Sequence, residues 1–350
     1  MAQRHSRHVL APGIAAIAAG VLALWIGIVP AAATEPTNAT ASAGAPPKKD
    51  CPTWFPDFGG CDRHGRYEGF IAPMSFPYLF EDPFITTGVQ FATLWHGFPD
   101  DSVFDGGSVT VLALQARVAI TDRLAFIATK DGIAFFRPQL RLGGKRLLKD
   151  QSKLMDITAG FKYALIDRPE DHFILSPSLR FEVPLGSEDV YQGYGDGVFI
   201  PGVSAAWGYD DFHVIADFGW QLPISGSKDS NSLFYNVHVD YAVHDHFVPF
   251  VEFNGMHWAD GGDGSTPVHT TIGTLPLQTA ITVLGKAPFE GADVANLGSR
   301  KIRSADLTTM AWGARVPFNK HVSFGASYER AIGRQDIFEQ RATAMLLVEY

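Results

Sequence analysis

The chain has 350 residues, of which 46% are hydrophobic and 19% are charged, and its formal net charge is −9. This acidic balance provides no basic stripe for nucleic acid, so a nucleic-acid partner is not expected. Its two cysteines are wrongly spaced for haem attachment and provide no second ligand pair for zinc. We therefore expect no cofactor and no protein-held metal.

The N-terminal segment has the order of a secretory signal. Arg4 and Arg7 precede an apolar run over residues 9–29, and three alanines ending at Ala33 offer a cleavage site. A membrane anchor is the alternative, because the run is long. We predict a signal peptide over 1–33 and a flexible, Ala/Pro/Thr-rich linker over 34–49.

Residues 50–82 are predicted to form a periplasmic segment closed by a Cys51–Cys61 disulfide. Export to an oxidising compartment favours that bond, which would contribute about 3 kcal/mol by restricting the unfolded chain. Further along, Phe70, Phe76 and Tyr78 belong to a run too aromatic to remain unburied. The segment could therefore serve as a plug or a collar.

From residue 83 to residue 350 the sequence favours a barrel. Alternating or β-branched and aromatic segments, most of them much longer than an ordinary strand of about 5–6 residues, indicate strands that cross a membrane. Twelve such segments lie near 84–96, 108–120, 123–131, 153–166, 172–185, 197–209, 212–225, 232–243, 247–258, 305–316, 321–332 and 338–350.

The connections between these segments alternate in length. Every second connection is tight, as at Thr121-Asp122 and Asp210-Asp211, whereas the others are mostly longer and include residues 259–304. Short periplasmic turns and long extracellular loops are typical of bacterial outer-membrane barrels. An even number of strands also places both ends of the barrel on the short-turn side.

Face polarity supports the same architecture. Phe212, Phe218 and Trp220 share one face of their segment, opposite His213 and Asp217. A basic residue facing lipid at mid-membrane would cost about 2–4 kcal/mol, so the apolar face should point outward. We predict an all-β fold, a transmembrane antiparallel up-and-down barrel of about twelve strands in the outer membrane; a soluble sandwich is the alternative.

Aromatic residues near strand ends are predicted to form an interfacial belt. They are Trp207, Tyr209, Phe247, Trp258 and Tyr350. The C-terminal strand ending at Tyr350 is expected to engage the barrel-assembly machinery. Outer-membrane lipid and lipopolysaccharide are further expected partners, the latter through the basic residues Arg137, Arg141, Lys145, Arg146, Lys149 and Lys153.

The inward faces provide the candidate functional residues. The predicted lumen residues are Arg117, Lys162, Arg180, Glu182, Asp217, His238, Asp240, Glu252, Asn254, Arg315, Glu329 and Arg341, with Gln115 beside them. Rows of charge could select solutes in a permeation path. Equally, they could be a ladder of salt bridges that fills a narrow barrel. Twelve strands leave at most a narrow pore.

Other chemistry has weaker support. Asp260 and Asp263 in a Gly/Asp-rich stretch could bind calcium, although an ordinary turn is the simpler interpretation. His257 and Ser265 could form the pair of a barrel lipase, but no G-x-S-x-G motif accompanies them. We therefore predict no catalytic residue. The loop 259–304 is expected either to enter the lumen or to cap the mouth.

Two stretches carry a family resemblance. VAITDRLAFIATKDG and LMDITAGFKYAL, with Asp156, Gly160, Lys162 and Tyr163 in register, resemble the phenol-degradation meta-pathway type of outer-membrane proteins. The resemblance covers residues 108–185 by motif and implies a transporter of hydrophobic small molecules. Met155 departs from the glycine common there, and no ligand residue transfers.

The predicted function is passive or facilitated passage of small molecules, hydrophobic or aromatic ones among them, through an outer-membrane channel or transporter. The alternative is a structural, envelope-anchoring barrel with a plugged lumen. A lipid-modifying barrel enzyme is the third class. The sequence leaves the oligomeric state open.

Overall fold

The computed structural model of the protein describes residues 64–226 and 228–350. The predicted signal peptide (1–33), the linker (34–49) and the Cys51–Cys61 disulfide lie outside the described residues. The predicted N-terminal segment is described from residue 64 onward. Residues 70–87, which precede the first strand, are called the internal segment below.

The described chain is mostly β-structure. Its strands are β1 (Gly88–Gly97), β2 (Gly107–Ala119), β3 (Leu124–Lys130), β4 (Ile133–Pro138), β5 (Arg141–Leu142), β6 (Lys145–Arg146), β7 (Gln151–Leu154), β8 (Ile157–Tyr163), β9 (Ile166–Arg168), β10 (Phe173–Val183), β11 (Val198–Tyr209), β12 (Phe212–Pro223), β13 (Asn231–Tyr241), β14 (Val248–Asp260), β15 (Pro267–Thr270), β16 (Gly273–Pro276), β17 (Asp306–Asn319), β18 (Val322–Ala331) and β19 (Gln340–Glu349). One α-helix, α1 (Leu277–Leu284), lies between β16 and β17. Short 3-10 turns occupy His64–Tyr67, Pro169–Asp171 and Glu188–Val190.

Twelve antiparallel strands close a barrel. Their order is β1, β19, β18, β17, β14, β13, β12, β11, β10, β8, β3 and β2, and β2 pairs again with β1. Gly88 lies opposite Glu349 on one side and Arg117 on the other, so the first and last strands meet directly. The predicted barrel and its strand number are confirmed. Closure leaves no unpaired edge, which hydrocarbon would not tolerate.

The third strand is longer than predicted. The sequence prediction ended it at residue 131, but β4 continues β3 beyond a break and pairs with the far half of β2. Gly132 occupies that break with φ +120°, and any side chain there would collide with the Leu112 carbonyl. The Asp-Gly pair, which resembled the end of a strand, is a bulge within one.

The outer surface of the barrel is apolar. Large hydrophobic side chains alternate outward along the strands, among them Phe91, Trp95, Leu114, Phe161, Leu179, Phe199, Phe218, Phe253 and Trp312, all at least 37% exposed. Polar side chains occupy the opposite face. This polarity, inverted relative to a soluble protein, is that of a barrel surrounded by lipid.

Four of the five predicted belt residues are exposed, and one prediction is wrong. Trp207, Tyr209, Phe247 and Tyr350 point outward, whereas Trp258 is only 2% exposed. Trp258 shares the parity of Glu252 and therefore faces the interior. Its place near a strand end did not determine which side of the wall it faces.

A cap covers the long-loop end. Residues 259–305 fold into the β15–β16 hairpin and α1, which ends at Gly285 in the left-handed region (φ +66°). Leu277 and Ile281 of α1 pack in one apolar cluster with Phe98, Phe104 and Phe289. Among the described residues no helix is long and apolar enough to cross a membrane.

Candidate functional site: the filled lumen

The internal segment runs through the lumen. Its aromatic side chains Phe70, Phe76, Tyr78 and Phe80 are each at most 7% exposed. At Phe76 the backbone turns with φ 49°, and its carbonyl accepts hydrogen bonds from the amides of Leu79 (3.0 Å) and Phe80 (2.9 Å). The segment pairs with none of the described strands, so the wall must satisfy its other backbone groups.

Cationic and amide side chains of the wall donate to the carbonyls of the segment. Arg180 donates to Tyr78 O (3.1 Å) and Leu79 O (3.0 Å). Arg315 donates to Ala72 O at 3.1 Å, and Gln115 to Pro77 O at 2.8 Å. These wall residues thus replace the β-ladder that the segment lacks.

Two acids of the segment bind two cations of the wall. Glu81 accepts from Arg117 at 2.8 and 3.0 Å and from Lys162 Nζ at 2.8 Å. Asp82 also accepts from Lys162 Nζ at 2.8 Å. All four side chains are at most 8% exposed. Removing one member of such a buried pair costs about 3–5 kcal/mol, because the other charge is left buried and unpaired.

Glu252 clamps the segment by its amides. The amides of Met74 (2.8 Å) and Ser75 (2.6 Å) each donate to one carboxylate oxygen, and the Ser75 hydroxyl adds a third bond. Asn254 Nδ2 donates to Ser75 Oγ at 2.7 Å. Hydrogen bonds to an ionised carboxylate are roughly twice as strong as neutral ones.

A row of titratable residues supports this clamp. His238 lies 2.7 Å from Glu252 Oε1 through Nδ1 and 2.9 Å from Asp240 Oδ2 through Nε2. Each ring nitrogen of His238 therefore has a carboxylate within hydrogen-bond distance, and the ring bridges Glu252 and Asp240. His213 Nδ1 extends the row to Asp240 Oδ1 at 2.7 Å.

The cap reaches the same network from the other end. Asp293, in the loop before β17, accepts from Arg341 at 2.6 Å and from the Tyr78 amide at 3.4 Å. Arg341 lies over the rings of Phe76 (5.3 Å) and Phe338 (5.1 Å). The loop 259–304 therefore caps the mouth and also places one carboxylate in the lumen.

All twelve predicted lumen residues are buried, at most 9% exposed. Arg117, Lys162, Arg180, Glu252, Asn254 and Arg315 contact the internal segment directly, and Asp217 accepts from the Glu81 amide at 3.5 Å. His238 and Asp240 support Glu252, Glu182 pairs with Lys130 at 2.8 Å, and Glu329 and Arg341 adjoin the cap. Their role in permeation stays a prediction.

Sequence reasoning missed the partners of these residues. Glu81, Asp82 and Ser75 belong to the segment predicted to be a plug or collar, and Lys130 and Asp293 were not singled out. The aromatic run signalled that the segment is buried. Two adjacent acids inside an aromatic run were a further signal, because buried carboxylates require cationic partners.

The residues considered for other chemistry lie apart from the lumen. His257 pairs with Asp306 at 2.7 Å, and in the described part of the chain no hydrogen bond joins it to Ser265. Asp263 caps a turn by accepting from the Ser265 amide at 2.8 Å. Within residues 64–226 and 228–350, no group of three His, Cys, Asp or Glu side chains is arranged to hold a metal ion.

Comparison with solved structures finds outer-membrane proteins. An outer-membrane channel from Pseudomonas putida F1 is 14% identical with a TM-score of 0.46, over 80% of this chain and 100% of that chain. The NanC porin is 8% identical with a TM-score of 0.42, over 74% and 99%. A calcium-bound outer-membrane phospholipase from Salmonella typhi is 8% identical with a TM-score of 0.35, over 76% and 91%.

Identities and TM-scores this low support no inference about the activity of this chain. The sequence matches no family profile and no curated protein. The resemblance to the phenol-degradation meta-pathway type therefore stays a prediction. The fold itself, a closed barrel with an apolar outer surface, is that of an outer-membrane β-barrel.

Proposed function

We propose that the protein is an outer-membrane channel for small molecules whose lumen is closed by its own internal segment. The observation that carries the proposal is the pairing of lumen charges with the internal segment. Arg117 and Lys162 bind Glu81, and Glu252 binds the amides of Met74 and Ser75. A wall built for this segment becomes a charged, hydrated passage once the segment leaves.

The second candidate is a structural barrel that never opens. The same contacts favour it if they are permanent, because a filled lumen stabilises the wall as a protein core does. The two functions differ in one respect: weakening the contacts creates a pore in a channel and merely destabilises a structural barrel. Small hydrophobic or aromatic solutes remain the proposed cargo, on the resemblance alone.

Conductance in planar bilayers tests the proposal. We expect the wild-type chain to be silent or to open rarely, and the Glu81→Gln/Asp82→Asn variant to open often. The variant removes the segment's two carboxylates that bind Arg117 and Lys162, so the segment binds less tightly. The matched control is Glu68→Gln, which neutralises an exposed acid beside the segment. A folded, silent variant would favour the structural barrel.

We also propose that the outer rim contacts lipopolysaccharide. Arg137, Arg141 and Lys149 are exposed on or beyond β4, on the long-loop side of the apolar belt. Arg146 pairs with Asp150, and Lys153 lies 3.7 Å from Asp189, so these two are partly neutralised. Charge reversal at Arg137 and Arg141 should weaken co-purification of lipopolysaccharide; unchanged co-purification would remove these residues from the interface.

A further inference from the structure

One side of the lumen has polar atoms that the protein itself does not satisfy. Among the described residues, seven buried side chains on β1, β14, β17, β18 and β19 have atoms without a hydrogen-bond partner. Two of them, Gln90 Oε1 and Arg315 Nε, lie six residues along their strands from His96 and from Thr309, the register partner of Asn254. The other five are Asn254 Oδ1, Ser327 Oγ, Glu329 Oε2, Arg341 Nε and Nη1, and both ring nitrogens of His96. None is more than 8% exposed. They lie on β14, β18, β19 and β1, with only β17 between β14 and β18. We call them the polar cluster.

Contacts join Asn254, Glu329 and Arg341, and strand register places His96 and Ser327 next to them. Asn254 Nδ2 donates to Glu329 Oε1 at 3.0 Å, and Glu329 Oε2 lies 3.6 Å from Arg341 Nη1, an ion pair too long for a hydrogen bond. His96 and Arg341 are directly opposite in the β1–β19 register. Ser327 points inward two residues before Glu329 on β18.

The rest of the wall has few unpartnered polar atoms. On the seven strands from β2 to β13 that complete the barrel, Arg180 Nε and Asn236 Oδ1 are the only wall atoms of this kind among the described residues. There the internal segment provides partners, as Leu79 O does for Arg180 (3.0 Å). Toward Arg341 the segment presents the apolar ring of Phe76, 5.3 Å away.

Polar atoms buried in this way require a ligand. Each unsatisfied buried group costs about 1–3 kcal/mol, and proteins commonly supply ordered water at such places. The guanidinium donates, the Glu329 and Asn254 oxygens accept, and His96 and Ser327 can do both. Arg341 is already paired with Asp293 at 2.6 Å and lies 3.6 Å from Glu329, so the cluster has no unpaired cation for an anionic ligand, and a ligand that both donates and accepts hydrogen bonds fits best.

We propose that the polar cluster is a binding site for hydroxyl groups, occupied by ordered water or by one small neutral polyol. Access leads from the cap, because His96 also lines the cavity that Phe98, Phe136 and Phe289 bound. The inference goes beyond the proposed function, since it concerns the closed lumen and requires no transport.

X-ray radiolytic footprinting of the full chain in detergent tests the site. Radicals formed from bound water oxidise adjacent side chains even when bulk solvent cannot reach them. Phe338 is fully buried, and its ring lies 4.9 Å from His96 and 5.1 Å from Arg341. Phe80, 4% exposed in the apolar cluster around the internal segment and not part of that cavity, is the matched control. We expect Phe338 to be labelled several times faster than Phe80.

Two variants test whether labelling of Phe338 comes from water at the polar cluster or from water elsewhere in the lumen. Ser327→Val removes one unpartnered hydroxyl and should slow Phe338 labelling severalfold. Thr158→Val, which removes a buried hydroxyl hydrogen-bonded to Glu182 on the other side of the wall, should leave it unchanged. Labelling of Phe338 at the rate of Phe80, or equal labelling in Ser327→Val and wild type, would overturn the proposal.

Footprinting repeated with added glycerol distinguishes bound water from a bound polyol. Protection of Phe338 by added glycerol would assign the site to polyols, and unchanged fast labelling would assign it to water alone; both results support a hydroxyl site. Gel heat-modifiability verifies that each variant is a folded barrel. A barrel that stays silent in bilayer recordings would count against the proposed channel function but would not affect the footprinting result.

Discussion

The internal segment and the cap close the same barrel by different means. The segment adds charged contacts to its apolar packing: Glu81 and Asp82 bind Arg117 and Lys162, and Glu252 binds two of its amides. The cap is held chiefly by apolar packing, with Phe104 and Phe289 at its centre. Charged contacts can be exchanged for water when a lumen floods, whereas an apolar cluster gains nothing from water. This difference is the reason we propose that the segment can leave the lumen while the cap keeps its own fold.

Breaking the apolar cluster should have the largest effect on stability. Phe104→Ala is expected to lower the free energy of unfolding by about 3–5 kcal/mol, because its ring is 2% exposed and packs against four other rings. Urea unfolding of the reconstituted barrel measures this. Phe318→Ala, at a 56% exposed position, is the control. A loss no larger than that of the control would mean that the cap contributes little.

A buried acid at the long-loop end should make the stability of the barrel depend on pH. Burial raises the pKa of Asp229, in the loop between β12 and β13, from 3.8 to about 7, and the nearby carboxylates of Glu182 and Asp156 add to the shift. Because the folded pKa exceeds the unfolded one, the stabilisation is complete below pH 3.8 and is lost as the pH rises to about 7. The loss amounts to about 4 kcal/mol at most.

Unfolding midpoints measured from pH 4 to pH 8 check this prediction. Asp229→Asn should remove that part of the pH dependence and be more stable than wild type at pH 8. Asp196→Asn, an exposed acid in a neighbouring loop, is the matched control. Parallel pH profiles for wild type and Asp229→Asn would show that Asp229 is not protonated in the folded state.

Removing the Glu252 carboxylate should have a smaller effect, confined to the amides of the internal segment that it binds. Glu252→Gln removes a charged acceptor from the Met74 and Ser75 amides, each such bond being worth about 1.5–3 kcal/mol. Hydrogen–deuterium exchange at these amides should accelerate accordingly. Glu182→Gln, a buried acid that binds Lys130 instead of the segment, should leave their exchange rate unaltered. If exchange accelerated equally in both variants, the cause would be a general loosening of the barrel wall and not the loss of the Glu252 hydrogen bonds.

The smallest expected effect concerns ion selectivity once the lumen is open. In a chain opened by the Glu81→Gln/Asp82→Asn changes, Arg315→Ala should favour cations and Glu252→Ala should disfavour them. Each shift should be about 1 kcal/mol or less, since a flooded lumen screens charge. Reversal potentials in a salt gradient measure it. Arg303→Ala, 68% exposed in the cap, should not shift the potential.

Local pattern predicted the wall well. The period-two alternation placed Asp217 inside and Phe218 outside, and the structure has both there. Lipid and lumen impose opposite polarity on successive residues, so a short stretch of sequence suffices. Where local pattern was ambiguous, at Asp131-Gly132 and at Trp258, the boundary or the face was wrong because pairing with β2 and strand parity determined it.

The contents of the lumen could not be predicted in the same way. Composition indicated that residues 70–80 are buried, but their position depends on contacts between residues far apart in sequence, such as Ser75 with Glu252 and Arg341 with Asp293. No periodicity encodes such pairs. Individual lumen residues were therefore identified, while their common partner was not.

Single-channel recording of a chain lacking residues 64–83, beside the full chain, tests the central claim most directly. The deletion leaves β1 to β19 intact and removes both acids of the segment. The account predicts discrete, reproducible conductance steps in the truncated barrel and rare or no steps in the full chain. A truncated barrel that is folded by heat-modifiability and remains silent would contradict it.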